Sequence, residues 1–259
     1  MSDEKAARLA AIRAANASRR AATDSDGAVA APTESEMPTA ARKQAPAGSQ
    51  PGDEAFEDMP PAMALQTLIG MLLAVALGAG VAVFALPAWL PGLSQSLLGA
   101  EPKAYWYLSR SSAFVAYILL WLSMVFGLLM TNKLARVWPG GPTAFDLHQH
   151  ASLLGLAFAL FHALILPGDR YIQATLFQVL VPFQYSGYEP LWVGLGQAAF
   201  YGLAIVGLSF YVKDRIGRRA WRLIHFLSFA IFVLALMHGI WSGSDSATDL
   251  ARAVYWGSG

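Results

Sequence analysis

The 259-residue chain contains no cysteine. Thiolate iron–sulfur sites, disulfides, cysteine-type zinc sites and covalent c-type haem attachment are therefore excluded. Charge is also scarce: Asp, Glu, Lys and Arg make up 14% of the residues, against about 25% in an ordinary soluble domain. The formal net charge is +1, which implies no nucleic-acid partner. No G-x-G-x-x-G stretch occurs, so nothing marks a nicotinamide-binding unit. No apolar core follows the early basic residues, so no cleaved signal peptide is expected. Histidine is rare, with five in the chain.

What fills the chain instead is apolar: 56% of the residues are hydrophobic. Several uncharged runs reach the roughly 20 residues a helix needs to cross a hydrocarbon core. The pattern predicts an all-α fold, a polytopic transmembrane bundle of about five spans. They run from about Ala64 to Leu86, Tyr105 to Thr131, Asp146 to Pro167, Leu191 to Val212 and Ala220 to Trp241. Pro87 and Pro91 should end the first. Its Gly70, Gly78 and Gly80 suit close helix packing. The second opens on YWYLSR, an interfacial aromatic belt. The connection from Gly168 to Pro190 is uncharged in its middle, but glutamines and Pro182 interrupt it. It reads as an interfacial or partly re-entrant cap.

Residues 1–60 hold 7 Lys/Arg and 10 Asp/Glu and almost no large apolar side chain. Such a segment cannot offset its ordering entropy by burial, so a disordered tail is expected. Asp3 to Arg20 could still form a short helix, and the tail could dock a partner. Residues 61–242 form the membrane domain, and 243–259 a short external tail. Basic residues favour the cytoplasmic side. Lys133, Arg136, Lys213, Arg215, Arg218, Arg219 and Arg222 share one side of a five-span topology. Lys103, Arg110, Arg170 and Arg252 lie on the other. The N-terminus is therefore expected in the cytoplasm and the C-terminus outside the cell (inner) membrane.

All five histidines lie on the third and fifth spans: His148, His150 and His162, then His225 and His238. Ionisable groups within a span are expensive and mark function. The two spans are separated by one other, so they run parallel. The spacings of 14 and 13 residues are rises of about 21 and 19.5 Å, so both spans offer histidines at two matching depths. These spacings suggest four axial ligands for b-type haem, with bis-histidine ligation stacking two haems across the layer. On the fifth span, 13 residues land about 140° away on an ideal helix. That requires different rotamers, a distorted helix or sideways-offset haems. His150 lies about 200° around from His148, toward a loop, a quinone or a partner. Arg110 and Arg222 are candidates for haem propionates, with Arg218 and Arg219 behind them. Trp106, Trp121, Phe158, Phe161, Phe226 and Phe229 are candidates for packing on porphyrin faces, though plain packing is commoner for each.

Three stretches, LSRSSAFVAYILLWLSMVFGLLMT, LLGLAFALFHALIL and GRRAWRLIHFLSFAIFVLALMH, together cover most of residues 105–241. They resemble the ferric reductase-like transmembrane domain superfamily. That superfamily includes NADPH oxidases, ferric reductases and the haem-binding membrane subunit of the periplasmic methionine sulfoxide reductase system. The resemblance implies that His148 pairs with His225 and His162 with His238, as ligands of two b-type haems. It also implies an electron-transfer role, but the family's oxidases and ferric reductases continue from a sixth helix into a flavin and nicotinamide domain, a departure from which an electron-transfer subunit without that domain is expected here. Its donor would be a separate flavoprotein or a quinol. Its acceptor would be an external protein or metal, and another membrane subunit could stand beside the fifth span. Two rival readings remain: a quinol-linked single-haem anchor, with His148 and His150 serving a quinone, and a haem-free structural subunit of a larger complex.

Overall fold

The computed structural model describes residues 59–91, 104–169, 171–244 and 246–259. The expected tail of residues 1–60, apart from Met59 and Pro60, lies outside them, as do Lys103 and Arg170. Five helices are long and apolar enough to cross a membrane: Leu65–Trp89, Ala104–Thr131, Gly141–Gly168, Pro190–Ile216 and Arg218–Ser242. Among the described residues there is no strand. Large apolar side chains cover the outside of these spans, among them Leu73, Leu77, Phe84, Ile205 and Val233. In water this surface would be an aggregation patch; its proper solvent is hydrocarbon. The chain is a multi-pass membrane protein.

The span boundaries follow local chemistry. The first span continues past the expected end near Leu86, through a π-helical turn at Val81–Ala85, and closes at Trp89. Pro87 falls in the first turn of the last helical segment, directly after the π-helical turn. The third span starts at Gly141, five residues earlier than expected, with Pro142 in its first turn. The fifth span is interrupted. It is helical over Arg218–Phe226 and again over Ser228–Ser242. At the junction the Leu227 N–H bonds back to the Ile224 carbonyl, a tightened i→i−3 turn.

The spans pack as a ring of four with one outlier. The second packs along the third, the third against the fourth, the fourth along the fifth, and the fifth against the second. The first span sits outside the ring, on the third. The third and fifth spans are therefore diagonal partners that face each other across the bundle axis. Helical bundles build cofactor sites from facing helices in this way.

The segment after the third span folds as a cap. Asp169, nearly fully buried, accepts from the Tyr171 and Ile172 N–H groups at 2.7 and 2.9 Å. A short helix, Leu176–Leu180, carries a capping box between Thr175 and Gln178. Gln197 of the fourth span holds it, donating to the Gln178 and Val179 carbonyls at 2.7 Å. After the fifth span comes a further helix, Asp249–Ser258, capped by the Thr248 hydroxyl. The sequence alone predicts no element in that tail. The helix stays too short to span, and it docks on the second span: Ser258 bonds the Tyr117 hydroxyl at 2.5 Å and Tyr255 stacks on Phe114.

Candidate functional site

Two cavities lie along the bundle axis. The first, about 400 Å³, is lined by His148 and His225 together with Ser123, Gln149, Trp221 and Arg222. The second, about 640 Å³, is lined by His162 and His238 together with Ser109, Arg110, Tyr255 and Ser242. Both volumes fall in the cofactor-pocket range of roughly 300–1,000 Å³. Leu120, Leu203 and Ile231 line both cavities. With Leu156 they form an aliphatic layer, one residue from each span of the ring. The layer separates the two chambers.

The histidines meet as the spacing predicts. The His148 and His225 ring centroids are 5.8 Å apart at an interplanar angle of 68°. Those of His162 and His238 are 6.2 Å apart at 65°. Two imidazoles on opposite faces of one metal have centroids about 6 Å apart, from a nitrogen–metal bond of about 2 Å and about 1 Å from nitrogen to ring centre on each side. The tightened turn at Leu227 lies between His225 and His238. Each residue in such a turn rotates about 120° instead of 100°, in the direction that reduces the 13-residue mismatch.

Backbone carbonyls orient three of the four rings. The His148 Nδ1–H donates to the Ser123 carbonyl at 2.8 Å, and the His162 Nδ1–H to the Ser109 carbonyl at 2.8 Å. The His238 Nδ1–H donates to the Trp192 carbonyl at 2.9 Å. A proton on Nδ1 leaves the Nε2 lone pair free, the tautomer a metal-ligating histidine needs. His225 is held differently, stacked on Trp221 at 5.2 Å and 27°.

The serines repeat with the histidines. Ser109 and Ser123 are 14 residues apart on the second span, as His148 and His162 are on the antiparallel third. Each serine hydroxyl donates to its histidine's carbonyl, at 3.2 and 3.3 Å, and lies within 2.9 and 3.1 Å of Nδ1. Sequence reasoning missed this pair, although a serine spacing equal to the histidine spacing was available to find it. It also missed Gly196, where an added Cβ would come within 2.5 Å of His238 Nδ1. Only a bare backbone lets that ring pass the fourth span. Trp192, whose carbonyl holds His238, stacks on Trp241 at 4.5 Å and 12°.

The remaining candidates divide. Arg110 lines the second cavity, lies over the Trp106 ring and bonds Ser244. Arg222 lines the first. Arg218 and Arg219 are exposed and line neither. His150 is exposed and its Nδ1–H donates to the Asp146 carbonyl, away from both cavities. Of the six aromatic candidates only Trp106 lines a cavity. Phe226 and Phe229 pair with each other on the exposed side of the fifth span, turned outward around Leu227, and Phe158 is also exposed. Phe161 packs into a separate cluster with Val83, Tyr105 and Ile165. The cavities draw other rings, Phe145, Phe210, Trp221 and Phe232 in the first and Tyr188, Phe200 and Tyr255 in the second. Burial pushes the Tyr255 phenol up, so it stands in the second cavity as a neutral group.

Among the described residues, no three His, Cys, Asp or Glu side chains gather to hold a metal ion by themselves. Each histidine pair offers two ligands, and a porphyrin brings the other four. Three buried side-chain polar atoms among the described residues lack a hydrogen-bond partner: Gln149 Nε2, Trp221 Nε1 and Ser242 Oγ. All three residues line the two cavities. Orphaned buried polar groups are rare and call for an absent ligand or water. The residues present therefore fit a haem in each chamber. No protein-family model, no curated protein and no solved structure matches this chain.

Proposed function

We propose that the protein is an integral membrane b-type cytochrome of the ferric reductase-like kind, carrying electrons across the cell membrane between a separate donor and an external acceptor. The observation that carries this reading is the facing of His148 with His225 and of His162 with His238, at 5.8 and 6.2 Å. When bound, haem supplies the one-electron couple. The chain's own contribution is ligation, orientation and exclusion of water. His148, His162 and His238 are fixed by carbonyls with Nε2 available. The layer of Leu120, Leu156, Leu203 and Ile231 puts apolar side chains between the chambers. Ions are refused by the apolar ring, while electrons need only closely spaced centres. Basic residues at the His148 end support a cytoplasmic position for that end, with the N-terminus inside and the C-terminus outside.

The rival reading is a haem-free structural subunit. Its support is that an edge-to-face ring pair also has centroids about 4.5–7 Å apart. It accounts neither for two cofactor-sized cavities nor for the orphaned polar atoms on residues that line them. The quinone reading gains little, since His150 faces away from the first cavity.

Vesicles holding the purified chain and enclosing ferricyanide test the proposal. Added outside, an impermeant reductant should bleach the enclosed ferricyanide, and His148→Ala or His162→Ala should each abolish the bleaching. Bleaching no faster than in protein-free vesicles would reject transmembrane electron transfer.

A further inference from the structure

Two residues that line the first cavity, Gln149 and Trp221, carry buried nitrogen donors without a hydrogen-bond partner. Gln149 is 8% exposed and follows His148 directly. Its Oε1 accepts from the Ala62 N–H at 2.7 Å, which fixes the amide so that Nε2 carries both hydrogens away from that bond. Nε2 has no partner. The Trp221 indole Nε1–H also has none, and its ring lies against His225. Arg222, the neighbouring residue, lines the same cavity. An indole N–H can only donate, and the Gln149 amide is left able only to donate. Leaving such groups buried without acceptors is costly. Donors gathered with no matching acceptor describe the complement of an anion, and planar or forked N–H groups suit a carboxylate.

We propose that Gln149 and Trp221, with Arg222 beside them, are a carboxylate-binding set that holds the acidic edge of the cofactor gripped by His148 and His225. This rests on the haem reading above and assigns new residues to it. Haem b carries two propionates, and a carboxylate buried in an apolar bundle needs compensation of this kind. Gln149 also joins the site to the segment before the first span. Its Oε1 holds Ala62, and Tyr211, another lining residue, donates to the Met63 carbonyl at 2.8 Å.

Gln149→Glu is the sharpest test. It keeps an oxygen for the Ala62 N–H and replaces the donor with a carboxylate that repels another. Trp221→Phe keeps the stacking on His225 and removes only the N–H. Both variants of the full chain would be assayed for haem per protein and for haem release to excess apomyoglobin. Gln149→Glu should fall from two haems to one, with the second site's spectrum unchanged. Trp221→Phe should release one of its two haems about tenfold faster, the size of one lost hydrogen bond to a charged group. Two haems and wild-type release rates in both variants would overturn the proposal while leaving the haem reading intact. If Gln149→Glu loses both haems, the Trp221→Phe release rate alone decides. A wild-type chain without haem would remove the reading on which the proposal stands.

Discussion

At the residue scale, the second span acts on the third through backbone and hydroxyl groups together. The carbonyls of Ser109 and Ser123 set the tautomer of His162 and His148, and their hydroxyls sit within 3.1 Å of the same ring nitrogens. Removing a hydroxyl leaves the carbonyl bond in place. Ser109→Ala and Ser123→Ala should therefore keep both haems. Each should move the midpoint potential of one haem by about 20–60 mV, the equivalent of one ordinary hydrogen bond in a one-electron couple. Redox titration of the α-band checks this, and two unmoved potentials would show the hydroxyls to be idle. Gly196 makes a harsher case. Its missing Cβ leaves room for the His238 ring at 2.5 Å, and the contacting atoms belong to a ring pinned by the Trp192 carbonyl. Gly196→Val should eliminate the haem of the second cavity and spare that of the first, read as one haem per chain.

At the element scale, the broken fifth span takes up part of the angular mismatch that the 13-residue spacing sets between His225 and His238. The i→i−3 bond at Leu227 overwinds the chain between His225 and His238. Inserting one alanine after Leu227 should rotate Ser228–Ser242 by about 100° relative to His225. The second haem should be lost and the first retained; a variant with both would show that the break is incidental. Much of this was legible beforehand. Uncharged runs fix the spans because a bilayer admits only helices or closed barrels, and the facing of His148 with His225 and His162 with His238 follows from depth along parallel helices. The break itself was not legible. Leu227 lies in an apolar run with no Gly or Pro to announce it. The aromatic lining was misjudged for the same reason. Phe226 and Phe229 are near His225 in sequence, but a local turn sends them outward. Likewise Gln149 and Trp221 became visible as site residues only once the fold brought both, each with a buried unpartnered nitrogen, to the wall of one cavity.

At the scale of the whole molecule, a ring of four spans holds two chambers in line, with an aliphatic layer between them and a polar, aromatic cap at the second. With five spans, the proposed topology has the termini on opposite sides of the membrane. The absence of native cysteine makes this simple to read. A single cysteine at Gly217, exposed between the fourth and fifth spans, should be shielded from impermeant maleimide in intact cells. One at Gly257, on the C-terminal helix, should be labelled. The reverse pattern would invert the proposed direction of electron flow. The central claim is the occupancy of both histidine pairs, and haem content of the purified chain measures it most directly. The account predicts two b-type haems per chain, both low-spin and six-coordinate, with His148→Ala and His162→Ala each removing one. A chain with no haem, or one whose haem count is unchanged by either substitution, would contradict it.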